Sequence, residues 1–215
     1  MCARFYIPDT DDDAEELAEL LKQLQERFPS ENPERKLQRG EIRPGMQAMV
    51  IAPNRSTQKP SLFTMQWGFH TQSGLLFNAR LESAGTKPTF RNSWTYRRCL
   101  IPMTAYFEWD HHHRPFQKYR FVPKTMDKGT LLAGIYRFEG QMAVFSVLTR
   151  QASSQVLPFH DRMPVILSWS SGALWMNSKI NDEAEIVNTH AIGEVAASPV
   201  GGTLNFLDSD YYNPG

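Results

Sequence analysis

Cys2 stands directly behind Met1. Methionine ahead of a small residue is commonly removed, which makes Cys2 the chain terminus. Its amine and thiol then sit on adjacent carbons. Unperturbed, the amine titrates at about 8 and the thiol at about 8.5, so each group has a reactive fraction near neutral pH. A neighbouring base raises that fraction. The amine of such a 1,2-aminothiol condenses with an aldehyde to an imine. The thiol then closes on the same carbon and leaves a five-membered thiazolidine. The ordinary alternative is a chance cysteine behind a retained methionine. Cys99, in Cys99-Leu100-Ile101, reads as a buried small hydrophobe. Two cysteines so far apart give neither a disulfide framework nor a zinc spacing, and no metal or cofactor is expected.

Chemistry at Cys2 needs groups that move protons. Asn78-Ala79-Arg80 follows the apolar Leu75-Leu76-Phe77, and a strand end is a common place for site residues. Glu108 lies between Phe107 and Trp109. If it faces inward, desolvation raises its pKa and suits it to general-acid work. His160-Asp161-Arg162-Met163-Pro164 joins a near-neutral titrating ring to a guanidinium fork that fits phosphate. Taken singly, each has a plain reading: a turn-forming Asn, a salt-bridged Glu on a sheet, a surface His.

The elements that must position these groups are mostly strands. Short β-branched and aromatic segments occur at Ala48–Ile51, Leu62–Trp67, Leu75–Phe77, Cys99–Met103, Ala105–Trp109, Tyr119–Val122, Leu131–Phe138 and Met142–Leu148. Glu139-Gly140 marks a hairpin turn between the last two. A further strand is expected at Val165–Leu167. Helices are expected over Asp11–Phe28, where Leu17, Leu21, Leu24 and Phe28 recur at helical spacing, and near Ser171–Asn177. Asp11 to Asp13 are cap candidates for the first. One short helix fits within Asn78–Phe90, and Asp182–Thr189 is another helix candidate. Ser30–Pro44, with Pro33, Gly40 and Pro44, reads as a loop. No long helix alternates with the strands, which argues against a doubly wound parallel sheet. The expected fold is α+β: one domain over residues 1–215, with a largely antiparallel, curled, barrel-like sheet and peripheral helices.

The chain has 215 residues, 23 Lys+Arg and 23 Asp+Glu. Zero net charge argues against a protein that grips nucleic acid by bulk charge. The charges are not evenly spread. Residues 80–124 hold nine bases and three acids, a local excess of six, while residues 1–40 and 125–215 are each acidic by four. Arg80, Arg91, Arg97, Arg98, Arg114, Lys118 and Arg120 interleave with Phe90, Trp94, Tyr96, Phe116 and Tyr119. Bases beside aromatics suit a phosphate track with base stacking, and equally a solvated sheet face. No apolar run approaches the roughly 18 to 20 residues of a membrane span. With no leader-like start, the expectation is a reducing compartment, cytoplasmic or nuclear.

Six segments, in order, resemble the SRAP family (SOS-response-associated peptidase). They are Met1-Cys2-Ala3-Arg4-Phe5, Pro44-Gly45, Trp67-Gly68, Asn78-Ala79-Arg80 with Glu82, Phe107-Glu108-Trp109 and His160-Asp161-Arg162-Met163-Pro164. The resemblance implies recognition of abasic sites in single-stranded DNA and a thiazolidine cross-link through Cys2 after loss of Met1. It implies that Asn78 positions the cross-link, that Glu108 protonates the opening deoxyribose oxygen, and that His160 moves protons. It implies DNA contacts from Arg4, Pro44, Trp67, Arg80, Trp109 and Arg162. Autopeptidase and abasic-site lyase activities, and action as a monomer, come with the same resemblance. Three features depart from the family: Arg39-Gly40-Glu41-Ile42-Arg43 replaces an Asn-containing segment before Pro44, Trp67-Gly68-Phe69 has one tryptophan where some members have two large aromatics nearby, and the stretch from Val187 to Gly202 matches poorly. Two other classes stay open: an N-terminal-nucleophile amidase, and a non-covalent reader of modified or single-stranded DNA.

Overall fold

The structure, a computed structural model, describes residues 3–110, 115–124, 129–177 and 191–201. Its centre is a closed barrel. Strand β3 (Gln47–Pro53) pairs antiparallel with β4 (Pro60–Trp67), and with β8 (Arg98–Met103) through Ile51 and Leu100. β8 pairs antiparallel with β11 (Thr130–Glu139), which forms a hairpin with β12 (Met142–Gln151). The seam closes where β12 meets β4 in parallel, Val144 beside Gln66 and Phe145 beside Trp67. The hairpin turn is Gly140-Gln141, one residue later than expected: Glu139 ends β11 paired with Met142, and Gly140 sits at φ +62°.

Three short strands extend the barrel. β7 (Asn78–Arg80) runs parallel to β12 at Val147–Thr149, and β13 (Arg162–Pro164) runs antiparallel at Thr149–Gln151. Thr149 pairs with both Arg80 and Pro164, so these strands flank opposite edges of β12. β14 (Ile166–Leu167) pairs with β11. The hairpin of β5 (Phe69–Thr71) and β6 (Gly74–Leu76) stands apart.

A second sheet packs on the barrel. Its order is β15 (Val195–Pro199), β10 (Gln117–Pro123), β9 (Ala105–Asp110), β1 (Phe5–Ile7) and β2 (Gly40–Ile42). Side chains alternate across a strand, so this sheet has two distinct faces. Phe5, Tyr106 and Phe121 turn inward and join the main core. Tyr6, Ala105 and Phe107 turn outward and build a small separate cluster with Trp109.

Helix α1 (Ala14–Arg27) buries Leu24 from the expected stripe, and Phe28 just beyond its end; Leu17 and Leu21 are only partly buried, and Leu20, outside that stripe, is fully buried. The expected aspartate cap is absent: Asp13 holds the cap position without a side-chain cap bond, and its carboxylate instead accepts from Tyr6 Oη at 2.7 Å. The predicted loop before Pro44 contains α2 (Pro33–Lys36), capped by Asn32, and β2. The one short helix expected within Asn78–Phe90 is two: α3 (Leu81–Ala84) and α4 (Pro88–Tyr96). Helix α5 (Trp169–Met176) lies close on the barrel: a Cβ at Gly172 would meet Leu100 Cδ1 at 2.9 Å. Trp175 in α5 donates from Nε1 to the carbonyls of Cys99 and Gly134. The helix candidate Asp182–Thr189 lies outside the described residues.

Candidate active site

Glu108 is a carboxyl enclosed by the fold. It occupies the inward face of β9, opposite Tyr119 of β10, and is 3% exposed. Burial, with a further push from the negative charge of Asp161, raises its carboxyl to about 7. A carboxylic acid that keeps its proton near neutral pH can donate it.

The loop carrying His160 folds over this face. The Phe159 ring packs against Tyr119 and Phe121 at centroid distances of 4.5 and 5.3 Å. The following His160-Asp161 segment is thereby brought toward Glu108. His160 Nδ1 accepts from the Arg162 backbone N–H at 2.9 Å and also lies 2.7 Å from Asp161 Oδ1. The first contact requires a bare nitrogen and the second a proton on it.

Asn78 opens β7, whose entry is fixed from behind. Trp67 Nε1 donates to the Phe77 carbonyl at 2.8 Å, and Val147 N–H donates to the same oxygen at 2.9 Å. Trp67 is wholly buried, stacked on Phe145 and tilted against Phe5. That placement corrects the expectation of a DNA-facing tryptophan: the ring is core, and it braces the segment leading into Asn78.

The arginines fall into different environments. Arg80 is exposed at the end of β7. Arg162 is 8% exposed, and its two Nη atoms grip both oxygens of Glu82 at 2.7 and 2.8 Å. Nη2 also donates to the Thr149 carbonyl at 2.6 Å. The Arg162 guanidinium holds the Glu82 carboxyl below the usual carboxylate range. Its fork is thus occupied, tying β13 to α3 and β12.

Arg4 and Trp109 sit on the outward face of the second sheet, opposite to Glu108. Arg4 lies over the Trp109 ring at 5.0 Å and pairs with Glu41 at 3.1 Å. Lys118 also pairs with Glu41 and covers the Phe107 ring at 4.1 Å. Burial pushes the Glu41 carboxyl up, but the Lys118 ammonium and Arg4 guanidinium outweigh it and hold it low. Adjacent residues of Phe107-Glu108-Trp109 thus serve two environments, as strand alternation requires. The sequence offered Lys118 only as part of the basic block and Glu41 only within the segment before Pro44, not as partners. The register beside Trp109 and Tyr6 explains both, and register was not readable beforehand.

Pro44 and Gly45 form the centre of a turn in which Met46 N–H donates to the Arg43 carbonyl. Gly45, at φ +88°, takes the left-handed position that such a turn needs after proline. Cys2 lies outside the described residues. Among the described residues no cluster could hold a metal ion. Nor is any described helix long and apolar enough to cross a membrane.

The described residues thus form a closed barrel with a second sheet packed on it, and the inward face of that sheet buries the Glu108 carboxyl. The profile of the SOS response associated peptidase (SRAP) family matches residues 1–205, and the chain belongs to that family. It is 31% identical over 121 residues to abasic site processing protein YobE of Bacillus subtilis, covering 50% of this chain and 51% of that one. The chain thus aligns with about half the length of this relative. It is 25% identical over 187 residues to abasic site processing protein YedK of Escherichia coli, covering 84% and 82%. Among solved structures, a phage-related protein from Bordetella bronchiseptica shares the fold at TM-score 0.71 and 20% identity, covering 94% of this chain and 95% of that one.

Proposed function

We propose that this protein processes abasic sites in single-stranded DNA by forming a covalent thiazolidine through Cys2 once Met1 is removed. The observation that carries the reading is Glu108, a buried carboxyl raised to about 7, in a chain whose family relatives are named abasic site processing proteins. Glu108 protonates the ring oxygen of the abasic deoxyribose and so opens it to the aldehyde. The Cys2 amine condenses with that aldehyde, losing water, and the thiol adds to the imine carbon as the nitrogen takes up a proton. His160 carries protons between these steps. Asn78 hydrogen-bonds the sugar. Diversion at the imine gives strand cleavage, and removal of Met1 is self-catalysed.

The DNA contacts divide by environment in this reading. Arg80 meets a phosphate directly. Arg4, stacked on Trp109, meets the strand on the outer face. Arg162 acts through its backbone N–H on His160, and Pro44 sets the turn beside β4. The protein works as a monomer. Incubation with single-stranded DNA carrying one abasic site should give a slow band on a denaturing gel, absent with Cys2→Ala. No band with the wild type, or an unchanged band with the variant, rejects the proposal. Turnover of simple amides without a DNA band identifies an N-terminal-nucleophile amidase instead. Equal, denaturant-sensitive DNA binding by both proteins identifies a non-covalent reader.

A further inference from the structure

A second cleft of about 270 Å³ lies at the other end of the barrel. It is bounded by the β3–β4 hairpin, the junction of α4 with β8, and β11. Arg55, Gln58, Tyr96, Arg97, Arg98 and Tyr136 line it. Arg98 opens β8 and Met103 closes it, so the strand carries the chain roughly 16 Å, at about 3.3 Å per residue, before it turns toward Glu108. The cleft is separate from the acid–base site.

Its lining is cationic and aromatic, and no described lining residue is acidic. Arg98 is held by the scaffold, donating to the carbonyls of Trp94 in α4 and Trp175 in α5 at 2.9 and 3.3 Å. Arg55 and Arg97 are different. Among the described residues neither pairs with a carboxylate. The Arg97 guanidinium is steered by Asn92 Oδ1, and the Arg55 guanidinium rests 4.4 Å from the Phe138 ring. The positive charges of both reach the Tyr136 phenol. The hairpin presenting Arg55 is tightly built. Asn54 Oδ1 accepts from the Ser56 and Thr57 backbone N–H groups, and Gln58 Nε2 donates to the Arg55 carbonyl. Gln58 itself sits at φ +56°, a conformation that side chains rarely adopt. Strain of this kind gathers where a loop must hold one shape for a ligand. Tyr96, ending α4, is 73% exposed and offers an open ring beside the arginines.

We propose that this cleft binds a phosphorylated nucleoside, with Arg55 and Arg97 on the phosphate and Tyr96 stacked on the base. Two guanidinium forks supply charge-assisted bonds to phosphate oxygens, and every nucleobase has a face for an aromatic ring. The volume lies just below the usual ~300–1,000 Å³ of small-molecule pockets, which leaves part of the ligand, here the base on exposed Tyr96, outside the cleft. Such a ligand is either a free mononucleotide or the 5′-phosphorylated end of a DNA strand.

The test is calorimetric titration of the full chain with thymidine 5′-monophosphate, inorganic phosphate and thymidine. The monophosphate should bind saturably, more tightly than phosphate and far more tightly than thymidine, and more weakly as salt is raised. Arg55→Ala and Arg97→Ala should each raise its Kd about tenfold. Tyr96→Ala should reduce the monophosphate's advantage over phosphate, while all three variants keep wild-type melting. Competition by a short oligothymidylate with a 5′-phosphate separates the sources: displacement assigns the strand end, and no displacement assigns the free nucleotide. No saturable binding of the monophosphate, thymidine binding as tightly, or an unchanged Kd in both arginine variants overturns the proposal. None of these outcomes depends on a cross-link at Cys2.

Discussion

At the scale of single residues, Glu108 should write its own pH dependence into the protein. Its carboxyl titrates near 4.3 in an unfolded chain and near 7 in the fold. The fold therefore favours the protonated form. The stability this gives is complete below about pH 4 and is lost as pH rises toward 7 and beyond, a change on the order of 3 kcal/mol. Glu108→Gln should flatten that limb and raise the urea midpoint at pH 8 above the wild type, while slowing cross-linking. A wild-type midpoint that does not fall between pH 5 and pH 8 would contradict this. Asp161 adds to the raised pKa through its charge, and its side chain is largely exposed, so the effect is screened. Asp161→Asn should shift the alkaline limb of the cross-linking rate modestly to lower pH. A limb that stays in place would remove Asp161 from the acid–base argument.

At the scale of elements, Arg162 fastens three of them. Glu82→Ala leaves a nearly buried guanidinium without its carboxylate and should cost about 1–2 kcal/mol in urea unfolding, discounted because Glu82 is half exposed. Gly45→Ala should cost a similar ~1–2 kcal/mol, because the turn demands positive φ and not because space is short: the added Cβ would stand 3.7 Å from Leu75. A midpoint equal to wild type in either variant would refute the corresponding claim. The long strands were legible because apolar and β-branched residues gather in β3, β4, β8, β11 and β12. β1 and β2 were not, because three residues carry too little pattern. The cue to α2 was present in Asn32-Pro33, an N-cap followed by proline at the first turn, but the charged stretch around it masked the signal. Pro88 likewise marks the start of α4. Glu108 was legible as a chemical candidate from its aromatic neighbours. That Trp109 would face away from it follows from strand alternation. That Trp67 would be core depended on the parallel seam, which no local pattern encodes.

At the scale of the whole molecule, part of the basic middle of the chain is tied down, while Arg80 stays exposed and Arg97 pairs with no described carboxylate. Lys118 is taken up by Glu41, Arg120 by Asp13 and Glu16, and Arg98 by two helix ends. Some of the local positive excess is thus matched by acids from the first part of the chain. Reversible binding to single-stranded DNA should respond weakly to salt, with a log–log slope of about −1 to −2 for two or three phosphate contacts. A slope several times steeper would mean that these pairs open on DNA. The barrel seam has a further effect, on timing. β4 and β12 meet through two residue pairs drawn from segments nearly eighty positions apart, and Asn78 and Arg162 hang on either edge of β12. Contacts of such long sequence separation form late. During synthesis the thiol of Cys2 leaves the ribosome first, and the groups that would move its protons cannot gather until the chain has passed Pro164. On the proposed function, a nascent or truncated chain should therefore cross-link slowly, and reach full reactivity only once the barrel has shut.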